Sequence, residues 1–304
     1  MPVPHTSTNF PDLLDKRITK VFNDEYDQLP DLKGEFYNVM TSSHNEERWS
    51  QVGAMPDINQ FTGTIIYGNQ NQGYDTTFTH VEFAGGVQIE RTLFDDDRFN
   101  IMDQRPKALA NAANRREQKD AARVFNMAFS VDTFFYNNSE GVALCSNNHT
   151  TTSGASTAVG FDNLTTAALS ATSMSANRIA MVNFRGDQAE RISIMPSLIL
   201  IPPDQYETAY EIVSSMGKVD TAQNNANVHY GQYKLIEWNY LTDANNYFLI
   251  DGNMMKQFLL WYDRIRLEFG QAEEFDSFIG KWRCYRRYSN GWTNWRWILG
   301  AQVS

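Results

Sequence analysis

The chain has 304 residues, with 26 lysines and arginines against 36 aspartates and glutamates, a formal net charge of −10 and two cysteines. That length suits one large or two modest cores; the acidic balance argues against a polyphosphate-binding surface unless the basic residues are segregated. Cys145 and Cys284 stand far apart and outside any CxxC spacing, which indicates neither a disulfide framework nor a zinc module.

No run approaches the ~20 apolar residues of a membrane span, and the start "MPVPHTSTNF" lacks a charged region followed by an apolar one, so a soluble, unsecreted product is expected. Residues 1–58 carry prolines at 2, 4, 11, 30 and 56 and one helical pattern, Leu13, Leu14, Ile18, Val21 and Phe22. They read as an arm with one helix. From Thr62 to Phe94 the pattern turns to strands: "TGTIIY", a Gly, Asn and Gln cluster, then "YDTTFTHVEFAGGVQIERTLF". Alternation of Val87, Ile89, Arg91 and Leu93 with Gln88, Glu90 and Thr92 predicts a long hairpin with two unlike faces.

The stretch "DQRPKALANAANRREQKDAARVFNMAF" predicts a helix of about 25 residues, with Asp103 as cap and Pro106 in the first turn. Leu109, Ala113, Ala121, Val124, Phe125 and Ala128 form its apolar stripe, and Arg115, Arg116, Lys119 and Arg123 its wet face. A polar crossing, "CSNNHTTTSGASTAVG", leads to an α+β unit: a helix from about Asp162 to Val182, a strand at "SLILI", a helix opened by Pro202 and Pro203, and strands at "YKLIEW" and "NYFLID".

In the tail, "KWRCYRRYSNGWTNWRWILGA", Trp282, Cys284, Arg286 and Tyr288 share one strand face and Lys281, Arg283, Tyr285 and Arg287 the other, and Ser289-Asn290-Gly291 signals a turn. Cations interleaved with aromatic rings suit a single-stranded nucleic-acid groove, yet such a groove lines its cations on one face, whereas these alternate. Asp95, Asp96 and Asp97 are the densest carboxylate cluster, but adjacent residues on an extended chain point in alternate directions and seldom converge on a cation. The five histidines show no HxxxH or HExxH spacing, and neither a G-x-S-x-G elbow nor a GxxxxGK[ST] loop occurs.

The order of arm, long hairpin, long helix, α+β unit and returning strand pair resembles the major capsid protein of tailed bacteriophages, with its Hong Kong 97 fold. The resemblance rests on "GTIIYGNQNQGYDTTFTHVEFAGGVQIERTLF" as extended loop, "KALANAANRREQKDAARVFNMAF" as spine helix, "SLILIPPDQYETAYEI" as axial-domain strand and helix, and the tail as peripheral-domain strands. It implies an α+β chain divided into an arm (1–58), an extended loop (59–100), a peripheral domain with the spine helix (101–158 and 258–304) and an axial domain (159–257). It further implies a structural protein, not an enzyme, with no cofactor or metal and no membrane partner. Such a subunit assembles in the cytoplasm of the host bacterium into hexamers and pentamers of an icosahedral virion shell around double-stranded DNA that it does not bind specifically. Its partners would be scaffolding, portal and decoration proteins.

Two surfaces are expected to join subunits. One is the extended loop, through Ile65, Ile66, Tyr67, Tyr74, Phe78, Val81 and Phe83; the other is the peripheral strand pair, through Arg283, Arg286, Arg287, Trp292 and Trp295, facing acids such as Asp95 to Asp97 or Glu273 and Glu274. Lysine is absent between Gly68 and Gly73, so crosslinking through the loop tip is not expected. The alternatives are an encapsulin-like nanocompartment shell, a hydrolase using the acidic cluster, and a nucleic-acid-binding protein using residues 281–297.

Overall fold

The described strands pair into three sheets. The computed structural model describes residues 16–29, 31–55, 57–58, 60–65, 67–68, 70–90, 104–217, 226–274 and 279–303. In chain order these contain α1 (Lys16–Gln28), α2 (Lys33–Phe36), β1 (Asn38–Thr41), β2 (Glu46–Val52), β3 (Gln72–Thr79), β4 (Val81–Glu90), α3 (Gln104–Asn126), β5 (Tyr136–Asn138) and β6 (Leu164–Thr165). There follow α4 (Ala171–Val182), β7 (Leu198–Ile201), α5 (Tyr206–Ser214), β8 (Lys234–Glu237), β9 (Tyr247–Ile250), α6 (Gly252–Phe258), β10 (Leu259–Glu274), β11 (Ile279–Trp292) and β12 (Ile298–Ala301).

The first sheet has the order β1-β10-β11-β4 and lies against α3. The predicted alternation of β11 is present: Trp282, Cys284, Arg286 and Tyr288 are buried, whereas Lys281 and Arg283 are exposed. Helix α3 has the predicted apolar stripe, with Leu109, Ala121, Val124 and Phe125 buried. Its other side is not all wet. Glu117, Gln118 and Asp120 are also buried, because α1 packs along α3 and α2 brings Lys33 onto Glu117. Phe22 of α1 stacks on Phe269 of β10 at 4.6 Å, closing a small satellite core with Leu109 and Cys284.

The second sheet, β2-β3-β5, carries the extended loop. His80 alone separates β3 from β4, so a single residue divides the second sheet from the first. The third sheet, β6-β12-β9-β7-β8, is built, apart from β12, from the residues expected to form the axial unit. All four residues of β9 are buried, as expected of a central strand. Helix α4 begins at Ser170, whose side chain accepts from the Ser173 backbone N–H in a capping box. One core runs from the first sheet into the third, through Tyr37, Phe125, Trp238, Trp261, Trp292 and Trp297.

Several expectations change. Among the described residues of "TGTIIY" no strand forms: Gly63 has a φ of 106°, which interrupts an extended run, and β3 takes β2 from residues 46–52 as its partner. Helix α4 starts at Ala171, not Asp162, since residues 164–165 pair with β12. The turn expected at Ser289-Asn290-Gly291 is the inside of β11. Ser289 bonds the His80 ring, Asn290 donates to the Asp120 carbonyl at 2.9 Å, and a Cβ on Gly291 would come within 2.5 Å of the Tyr136 ring. These residues serve close packing and buried hydrogen bonds, not chain reversal. Strand β12, drawn from the tail, joins the axial sheet. Asp103, the expected cap of α3, lies outside the described residues.

Candidate assembly surfaces

The loop between β2 and β3 is held at its base by polar contacts. The Gly53 N–H donates to the Asn71 carbonyl at 2.8 Å, and Gln70 Nε2 donates to the Gly53 carbonyl at 2.7 Å. Gly53 is required there, because a Cβ would lie 2.7 Å from the Asn71 oxygen. Thr152 Oγ1 donates to the Gln72 carbonyl at 3.0 Å, the Tyr74 and Thr150 hydroxyls meet at 2.5 Å, and Gln51 Nε2 donates to the Thr293 carbonyl. Trp49 Nε1 donates to the Tyr262 hydroxyl. Beyond this base the side chains lose cover: Ile58 is 101% exposed and Tyr67 88%, with Met55, Phe61 and Ile65 also open.

Of the residues expected in this surface, Ile65 and Tyr67 are exposed and Tyr74 is half-buried. Ile66 lies outside the described residues. Phe78 is corrected: at 0% exposure it belongs to the chain's own core, edge-on to Tyr262 at 5.2 Å. Val81 and Phe83 pack partly against the same core, Phe83 stacking on Tyr288 at 4.8 Å. The reason is topological. Residues 72–79 form β3, paired on both sides by β2 and β5, and residues 81–90 form β4, paired on one side by β11, while the described residues of the segment before them stay outside any strand. Met55, Ile58 and Phe61 were not anticipated. Their signal was present, since residues 53–71 contain apolar side chains, one acid, Asp57, and no lysine or arginine.

The strand pair divides more sharply. Arg283 is exposed, between Gly86 and Gly270 in register on its two neighbours, beside a cavity of about 610 Å³. Arg286 is corrected: it is 6% exposed and enclosed by Glu117 and by Asp263, the latter at 3.3 Å. Lys33 Nζ lies 2.5 Å from Glu117 Oε1, and the Tyr26 hydroxyl donates to Glu117 Oε2 at 2.5 Å. Burial pushes the Glu117 carboxyl up, but Arg286 and Lys33 outweigh it, leaving its pKa below the ordinary glutamate value. Burial pushes the Tyr26 hydroxyl up, with the Glu117 charge adding to it. This is a buried ionic knot joining α1, α2, α3, β10 and β11.

Trp292 and Trp295 are likewise corrected to core. Trp292 Nε1 donates to the Tyr136 hydroxyl at 2.7 Å, and the Trp295 ring stacks on His149 at 4.2 Å. Arg287 stays partly open but is used within the chain, donating to Asn45 Oδ1 at 2.8 Å and lying 3.8 Å from Glu82. Lys281 meets Glu274 of its own chain at 2.5 Å. Asp95, Asp96 and Asp97 lie outside the described residues, and of the Glu273 side chain nothing is described. Both cysteines are free and buried, with their thiols pushed up by burial. Among the described residues no cluster of three metal-ligating side chains occurs, and no helix is long and apolar enough to cross a membrane.

The fold matches solved capsid structures. The capsid of a native GTA particle shares 12% identity over 91% of each chain, with a TM-score of 0.54. The capsid of bacteriophage JBD30, decorated with minor capsid protein trimers, shares 14% identity over 79% of this chain and 100% of that one, with a TM-score of 0.56. The mature capsid of bacteriophage PhiM1 shares 10% identity over 91% of this chain and 88% of that one, also at 0.56. No curated protein matches the chain. A phage capsid protein family matches residues 73–300, from β3 through α3 and the third sheet to β12. The chain therefore belongs to the phage capsid protein family and has the Hong Kong 97-type α+β fold.

Proposed function

We propose that this protein is the major head subunit that self-assembles, as hexamers and pentamers, into the icosahedral shell of a tailed double-stranded DNA bacteriophage. The observation that carries the reading is the loop between β2 and β3: Met55, Ile58, Phe61, Ile65 and Tyr67 are exposed on a segment whose base is held by hydrogen bonds. Burying such side chains is worth roughly 1.5–3 kcal/mol each. Contact with a neighbouring copy supplies that burial, and the contact repeats around a ring.

The role is structural, not enzymatic, and needs no cofactor. Assembly proceeds in the host bacterial cytoplasm with scaffolding and portal proteins and, on the finished shell, decoration proteins. The net charge of −10 suits a container that encloses duplex DNA without holding it, because each neutralised phosphate would add a salt-dependent attachment. Within the peripheral strand pair the exposed contact passes to Arg283, since Arg286, Trp292 and Trp295 are enclosed by their own chain.

Negative-stain imaging of the purified full-length protein, alone and coexpressed with its scaffolding protein, tests the reading. Closed shells or five- and six-fold rings are the expected result. A protein that sediments as a monomer under both conditions would overturn it.

A further inference from the structure

The axial unit carries two exposed helix faces of opposite character. On α4, Arg178 stands beside Ile179 and Val182, all exposed, and finds no acid to pair with among the described residues. On α5, Tyr206 and Tyr210 stack at 6.0 Å and are exposed, and Glu207 and Glu211 flank them with no cation paired to either among the described residues. Two like charges four residues apart on a helix repel. Among the described residues no cation relieves that repulsion.

Each face is unsuited to itself. Two α5 faces brought together would oppose four carboxylates, and two α4 faces would oppose two guanidinium groups, an arrangement that costs association energy. The cross pairing has neither defect: it sets a cation between two anions and aliphatic side chains against two tyrosine rings. The faces also occupy different parts of the unit, α4 packing on β12 and α5 on β8, with β9 and β7 between those strands. Two different patches joined head to tail generate a ring when the rotation closes, whereas a patch that fits itself stops at a dimer.

We infer that α4 of one copy docks on α5 of the next copy around a ring, with Arg178 seated between Glu207 and Glu211. The inference rests on the shell-subunit reading. It is tested with full-length Arg178→Glu, with Glu207→Arg/Glu211→Arg, and with the two combined, under conditions in which the unaltered protein forms particles. All three positions are exposed, and circular dichroism with a denaturant midpoint checks that each variant is folded as the unaltered chain is.

The expected result is that either reversal alone lowers the yield of rings or shells at least roughly tenfold, because the loss at one contact is repeated around the ring. The combined variant should restore it. Reversals that assemble at normal yield, or a combined variant no better than its parents, overturn this contact and leave the shell reading standing. An unaltered protein that never assembles overturns both.

Discussion

The ionic knot around Arg286 and the loop between β2 and β3 invert the usual sorting of side chains in opposite senses. The knot places charged groups inside: Glu117, Asp263 and Arg286 are nearly inaccessible, and Lys33 closes over them. The loop places large apolar groups outside. Taking ions out of water is costly and is offset only when each finds a partner at the same moment, which the knot achieves within one chain. The loop's apolar surface finds no cover among the described residues. Charge complementarity has therefore been used up in folding at the strand pair, and hydrophobic surface has been held back from folding at the loop. The first belongs to the subunit's own stability and the second to its association.

The largest way to break this contrast is Arg286→Ala. It leaves Glu117 with Lys33 and the Tyr26 hydroxyl and takes from Asp263 its Arg286 partner, and removing one partner of a buried pair costs about 3–5 kcal/mol. The denaturant midpoint of the subunit should fall accordingly. A midpoint within error of the unaltered protein would mean that the knot contributes nothing and that Arg286 is free to serve elsewhere. Arg286→Glu should fail at folding, before assembly is reached.

A smaller loss is expected from Tyr288→Phe. The Tyr288 hydroxyl donates to Asp120 Oδ2 at 2.5 Å, and burial pushes the Asp120 carboxyl up even though Tyr288 and Arg116 pull it down. Deleting the hydroxyl removes one donor from a buried carboxylate, for about 1–3 kcal/mol by the same unfolding measurement. No measurable change would show that Arg116, 2.8 Å from Asp120, is sufficient alone.

Much of the fold was legible because local pattern and tertiary context agree. The apolar stripe of α3 and the two faces of β11 are periodic signals that the observed burial repeats. Reading failed where one residue type serves two purposes. Ser289, Asn290 and Gly291 have the chemistry of a turn, but the same hydroxyl, amide and absent side chain also suit a buried strand that meets His80, the Asp120 carbonyl and the Tyr136 ring. Arg286 has the spacing of a surface cation until Glu117, 169 residues earlier, is brought beside it. Pairing across such distances leaves no mark on a local window. At the loop, Ile65 and Tyr67 were legible from hydropathy, whereas the boundary between projecting and paired residues depended on β2, which short-range alternation did not reveal.

Acid sharpens the contrast further. The folded-state pKa of Glu117 lies below its ordinary value. In that case the folded state binds fewer protons than the unfolded one, so the stabilisation is complete above the ordinary glutamate range, about 4.3, and is lost as pH falls through the lower folded value. Asp120 acts in the opposite sense: its folded value is raised, so its burial is least costly in acid. The Glu117 contribution has a slope of at most about 1.4 kcal/mol per pH unit. Glu117→Gln should therefore lose stability less steeply than the unaltered subunit between about pH 5 and 2. Parallel curves would remove Glu117 from the ionised network.

The smallest effect on the subunit, and the most telling for the comparison, is expected at the loop. Ile58 and Tyr67 touch solvent over nearly their whole surface, so Ile58→Ser and Tyr67→Ser should leave the unfolding free energy within about 0.5 kcal/mol of the unaltered value. The same substitutions remove apolar area from every copy of a repeated contact, so the deficit in association multiplies around a ring even though each subunit is intact. Unfolding curves and analytical ultracentrifugation on the same preparations separate the two quantities. A drop in stability of more than a kilocalorie per mole would show that the loop folds back on its own chain. Particles formed at normal yield by both variants would show that these side chains do not link one copy to the next. Unchanged stability with lost assembly is the outcome that follows from apolar groups left outside while the charges are kept within.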